Sequence, residues 1–141
     1  MLKERIIFGL LVIGFLNGCI SQPEACRGIS MAALWDKPES FINENVIKSD
    51  GSDYTVLIVT ITNTTKNKIC LDSVYLKPED EGQKITIEVI KDGGYEIGPE
   101  GKITWQFKVY SDNEAPGKYD IYIYVNEERN CKNPEKIEII E

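Results

Sequence analysis

From Tyr54 to Asn63 the chain is a β-branched run in which Leu57, Val59 and Ile61 fall on one face and Val56, Ile58 and Thr60 on the other. That pattern predicts a strand covered on both sides, near the middle of a packed sheet. Lys102 to Tyr110 alternates more cleanly, with Ile103, Trp105, Phe107 and Val109 pointing one way and Lys102, Thr104, Gln106 and Lys108 the other. This is a half-buried strand with one wet face. Tyr119, Ile121, Ile123 and Val125 repeat the alternation against Asp120, Tyr122 and Tyr124. Ile85, Ile87 and Val89 define another strand, Ile137 and Ile139 a last one, and Phe41 to Ile47 a first. Ile69 to Leu76 changes phase around Asp72 and Ser73, which one extra residue in a β-bulge would explain. Turn signals separate these runs at Asp50-Gly51, Asn63 to Asn67, Pro78 to Gly82, Asp92 to Gly94, Pro99 to Gly101 and Pro116-Gly117. Ser30 to Trp35 is the one helix-like fragment; Pro38 cuts it short, and it reads as a strand or an irregular lead-in. The expected fold is all-β, an antiparallel two-sheet sandwich of about seven strands.

The first residues follow a different rule. Lys3, Glu4 and Arg5 form a charged head with net positive charge, and an apolar run from Ile6 to Leu16 ends at Asn17, Gly18 and Cys19. A spanning helix needs about 20 apolar residues, and this run is near half of that. Charged head, apolar run, Leu16-Asn17-Gly18-Cys19 and then the polar Ser21, Gln22, Pro23 and Glu24 resemble a prokaryotic lipoprotein signal with its lipobox. The resemblance implies cleavage after Gly18 and a lipid on the Cys19 thiol. Asn17 stands where that family has a smaller or less polar residue. The expected organisation is a signal peptide over 1–18, a lipid-attachment site, tether and lead-in over 19–40, and a sandwich domain over 41–141. The expected location is the cell membrane, lipid-anchored and facing the extracytoplasmic side, because each buried acyl methylene adds about 0.8 kcal/mol of membrane affinity.

Within the sandwich, Val56 through Thr64 into the next strand, Gly98-Pro99-Glu100-Gly101-Lys102 and Ala115-Pro116-Gly117-Lys118-Tyr119-Asp120-Ile121 resemble immunoglobulin-like domains of prokaryotic surface proteins, of the fibronectin type III and CARDB-like kind. A tyrosine at the position of Tyr119 is where such domains place a tyrosine corner, its hydroxyl bonded to nearby backbone. The resemblance implies adhesion, spacing or ligand presentation and carries no active site. High Ile, Lys and Glu content fits a thermophilic or AT-rich prokaryote, archaea included.

Composition narrows the function further. The 141 residues carry 16 Lys+Arg against 23 Asp+Glu, a formal net charge of −7, and no histidine. The charge argues against nucleic acid as a partner, since that affinity comes from cations neutralising phosphates. Without histidine there is no Ser-His-Asp or Cys-His pair and no His-ligated metal. An enzyme is not expected, nor a cofactor. Asp50, Asp53 and the run Glu79-Asp80-Glu81 offer oxygen atoms, but without the spacing of a calcium loop they read as solvated turns, and no metal is expected.

If Cys19 carries lipid, Cys26, Cys70 and Cys131 remain. Cys70 opens a strand expected to neighbour the one before Cys131, which favours a Cys70–Cys131 disulfide, with Cys26–Cys131 as the alternative. Asn63-Thr64-Thr65 satisfies the N-glycosylation sequon in an expected loop, making Asn63 a glycosylation candidate. Tyr122 and Tyr124 project to the outer face of their strand, a surface-binding candidate for sugar or protein, against the alternative of cross-strand packing. The leading expectation is a lipid-anchored module that contacts an envelope protein or a glycan, or has an envelope structural role. The alternative is an accessory or solute-binding subunit of a membrane complex.

Overall fold

The run Thr55–Asn63 forms the central strand of one sheet, as its two apolar faces predict: Leu57, Val59 and Ile61 are fully buried on the inner side. The computed structural model describes residues 26–38 and 43–141, so the expected leader, Cys19 and the expected tether as far as residue 25 lie outside the described residues. In chain order the strands are β1 (Ile29–Asp36), β2 (Val46–Lys48), β3 (Thr55–Asn63), β4 (Ile69–Cys70), β5 (Val74–Pro78), β6 (Ile85–Lys91), β7 (Glu96–Ile97), β8 (Lys102–Ser111), β9 (Gly117–Val125) and β10 (Glu135–Ile140). No helix occurs among the described residues, and the protein is all-β.

One four-stranded sheet has the order β1-β3-β8-β6, a second the order β2-β10-β9-β5, and β4 with β7 makes a small ribbon. The expected alternations place the core. Trp105, Phe107 and Val109 of β8 face Ile121, Ile123 and Val125 of β9 and Ile137 and Ile139 of β10, all of them buried. The Trp105 and Phe107 rings stack at 5.9 Å, and the indole N–H donates to the Gly94 carbonyl at 3.0 Å. A side chain at Gly93 would lie 2.5 Å from the Thr104 carbonyl oxygen and 2.6 Å from the indole, so the turn between β6 and β7 needs glycine there.

Three details depart from the expectation, and of the two readings of Ser30 to Trp35 the structure takes the strand: it belongs to β1, paired with β3 from Ile29↔Asn63 to Asp36↔Val56. Its alternate residues are only half-buried, as suits an edge strand, and its two alanines weaken the period-two signal. The first expected strand shrinks to Val46–Lys48, with Phe41 and Ile42 outside the described residues.

That short strand β2 runs parallel to β10, so the sandwich is not purely antiparallel. The chain leaves β1 at the edge of one sheet and joins the edge of the other, a crossover rather than a hairpin. Lastly, the phase change at Asp72 and Ser73 is a break and not a bulge. Ile69–Cys70 pairs with β7, and Val74–Pro78 pairs with β9. The bulge falls in β6 instead, where the register shifts between Val89 and Lys91 and leaves Val89 and Ile90 half exposed.

Candidate functional site

The break at Asp72 and Ser73 builds the most distinctive surface of the molecule. Asn126 follows β9 with a positive φ of 51°, and Glu127 follows it with 66°. Two successive left-handed residues close a tight turn, with Val125 and Glu128 exchanging backbone bonds at 3.0 and 2.9 Å. The Asn126 carboxamide oxygen then accepts the backbone N–H of Asp72 at 2.6 Å, and the Asn126 backbone N–H donates to the Ser73 carbonyl at 3.0 Å. Asn126 thereby fixes the point where the chain steps into the second sheet and sets β5 in register with β9.

That register puts Tyr75 opposite Tyr124 and Lys77 opposite Tyr122. The inner residues Val74, Leu76, Ile123 and Val125 are buried, so these four side chains stand on the outer face. The Tyr75 and Tyr124 rings stack across the strands with centroids 4.9 Å apart and planes 11° from parallel. The Lys77 ammonium lies over both rings, 5.4 Å from one centroid and 6.0 Å from the other. The turn at Asn126 and Glu127 also carries Arg129 back over Tyr122, its guanidinium carbon 4.4 Å from the ring centroid. Tyr122 and Tyr124 therefore lie on the face expected of them, and Tyr75, Lys77 and Arg129 join them there.

Those three were not readable from the sequence. The alternation Val74-Tyr75-Leu76-Lys77 marks a strand with Tyr75 and Lys77 on one side, yet the partner strand and its register depend on the break before it.

Asn63 is placed differently. It is fully buried, and its amide nitrogen donates to the carbonyls of Asn67 at 2.7 Å, Ile97 at 3.1 Å and Gly98 at 3.0 Å. Its oxygen accepts from the backbone N–H of Thr65 at 2.8 Å and from the Thr65 hydroxyl at 2.7 Å. The folded domain does not present this carboxamide for glycosylation; the sequon residues form an Asx turn instead.

The cysteines correct the favoured pairing. Cys131 is joined to Cys26, with Cα atoms 4.9 Å apart, and not to Cys70. Cys70 lies in the ribbon opposite Glu96, away from β9. Cys19 lies outside the described residues.

At the other end of the sandwich three loops meet on Glu114. Its carboxylate accepts the backbone N–H of Lys84 at 2.5 Å and of Ala115 at 2.9 Å, and its carbonyl accepts the Ser49 hydroxyl. Those two backbone donors hold the Glu114 carboxyl below its ordinary range. Tyr119 closes the group: its hydroxyl donates to the Ala115 carbonyl four residues upstream, the bond expected of a tyrosine corner. Burial first, and then the Glu114 charge, push the Tyr119 phenol up. Asp53 is ion-paired with Lys37 at 2.6 Å, and Asp50 accepts the Ser52 N–H within its turn. Among the described residues no group of three or more acidic or cysteine side chains is placed to hold a metal. No helix there is long and apolar enough to cross a membrane.

No family model and no curated protein matches the chain. Among solved structures it is similar to the Pseudomonas fluorescens alkylpurine DNA glycosylase AlkC, determined bound to DNA containing an abasic site analog, with a TM-score of 0.51 and 14% identity. The match covers 94% of this chain and 33% of that one. At that identity the likeness concerns the fold alone, and this chain spans about a third of the length of that protein.

Proposed function

We propose that this chain is a non-catalytic binding module with an immunoglobulin-like sandwich, held on the extracytoplasmic side of a membrane by a lipid on Cys19. The observation that carries the binding role is the outer face of the second sheet, where Tyr75, Tyr122 and Tyr124 are gathered with Lys77 and Arg129. Tyrosines supply large, rigid, amphipathic contact area with few rotamers to freeze, which suits a recognition surface. The sheet orders β1-β3-β8-β6 and β10-β9-β5, four strands against three with β2 added beside β10, support the immunoglobulin-like reading, and the Tyr119 bond supports it as well. The Cys26–Cys131 disulfide supports an oxidising compartment, and the leader pattern supports export. With no histidine in the chain, the Ser-His and Cys-His nucleophile pairs have no members here. A DNA-binding role in the manner of the glycosylase finds no support in a chain of net charge −7.

The test is a photo-crosslinking residue placed at Tyr122 in cells, with Gln106 on the opposite sheet as the control position and mass analysis of the Cys19 peptide from the membrane fraction. The expected result is a defined adduct from position 122 alone and a lipid thioether on Cys19. Equal adducts from both positions, or none, overturn the binding face. A Cys19 recovered unmodified or in a disulfide overturns the anchor.

A further inference from the structure

The charges on the tyrosine face are unequal in a telling way. Lys136, on the same face, is ion-paired with Asp120. On the other sheet Lys108 lies over the Tyr54 and Tyr110 rings, but it stands opposite Glu88, whose carboxylate also accepts the Tyr110 hydroxyl. Among the described residues Lys77 and Arg129 have no carboxylate within ion-pair distance. In a chain of net charge −7, two cations resting on aromatic rings and left without a counter-ion form a local site for an anion.

The rings select the kind of anion. A protein interface is built around an apolar, well-packed centre. No aliphatic side chain stands between the tyrosines and cations here, since the residues of β5 and β9 that are aliphatic point inward. A pyranose ring offers apolar C–H groups on its face and hydroxyls at its rim, and the first pack on an aromatic ring while the second stay wet. β5 is the edge strand of its sheet, and its Tyr75, half-buried, stacks on Tyr124 at that edge.

We infer that this face binds an acidic saccharide of the uronic-acid class, with Tyr75 and Tyr124 as the stacking surface and Lys77 and Arg129 as the partners of the sugar carboxylates. The inference rests on the proposed binding role of the same face and names its ligand.

The test is calorimetric titration of the full chain, extracted in an uncharged detergent, with a galacturonate tetramer, a galactose tetramer and polyglutamate. Lys77 is exposed, so Lys77→Ser leaves the fold intact. The galacturonate tetramer should bind at least about tenfold more tightly than the galactose tetramer, and Lys77→Ser should remove about that factor. Tyr75→Ala should weaken both sugars, added salt should weaken the acidic one, and Lys108→Ser should change neither. Equal binding of the two sugars, or galacturonate binding that is indifferent to Lys77→Ser, overturns the acidic-sugar assignment and leaves the binding face standing. So does a preference for polyglutamate, which would make the ligand an acidic peptide. If no probe binds while the adduct at position 122 persists, the ligand class alone is wrong; if both fail, the face is not a binding site.

Discussion

A residue's neighbours in sequence suggest one role for Asn63 and its neighbours in space another. The triplet Asn63-Thr64-Thr65 has the form of a glycan acceptor, but the same residue types make an Asx turn at the end of β3. There the carboxamide nitrogen donates to carbonyls at Asn67, Ile97 and Gly98, the last of which also accepts the Gly101 N–H. Asn63→Ala removes these bonds from a buried position and should cost on the order of 3 kcal/mol in urea unfolding. The protein should also migrate at its unglycosylated mass in any host. A glycan found on Asn63 of the folded protein would contradict the burial. Burial of a polar residue is hard to read from one sequence because it depends on partners from elsewhere, here from the turn 98–101 that lies 35 residues away by its Gly98 bond.

At the scale of elements, the strands with an unbroken period of two were legible. β3, β8, β9 and β10 stand where their alternation puts them, with the expected residues inward. What was not legible is which strands meet. Ile69 to Leu76 reads as one strand with a flaw, whereas Asn126 holds it as two pieces in different sheets. The consequence reached the cysteines, because Cys70 was expected beside β9 and sits instead in the ribbon.

Loops are joined by the same kind of distant contact. Glu114 ties the loop after β2 to the loops before β6 and before β9. The sign of its pH effect follows from its lowered folded pKa. The stabilisation is fully present above the usual value of 4.5, and it is lost as pH falls through the depressed folded value. Thermal melting should therefore fall as the solution is acidified below about pH 4.5, as this group and others like it protonate. Glu114→Gln should melt lower than the parent at neutral pH, and the gap should narrow in acid. A gap that stays constant from neutral pH into acid would show that the carboxylate charge has no part in holding the loops.

For the whole molecule, the decisive link is the one between its two sheets. β1 opens at the end of the sandwich where Asn63 lies, and as an edge strand it has β3 as its one neighbour in the sheet. Cys26, just ahead of β1, is bonded to Cys131 in the connection between β9 and β10, so the bridge ties the free edge of one sheet to the interior of the other. The two cysteines are separated by 105 positions in sequence, and closing a loop of that length stabilises by about 2 to 5 kcal/mol, mostly by restricting the unfolded chain. The variant carrying both Cys26→Ser and Cys131→Ser should lose that amount in denaturant unfolding. Its amide exchange should accelerate first in β1, the edge strand the bridge secures, while β3 and β8 keep their protection. Stability and exchange unchanged in the double variant would mean that β3 alone secures β1. A variant that loosens β3 and β8 as early as β1 would mean instead that the bridge supports the whole sandwich and not its edge.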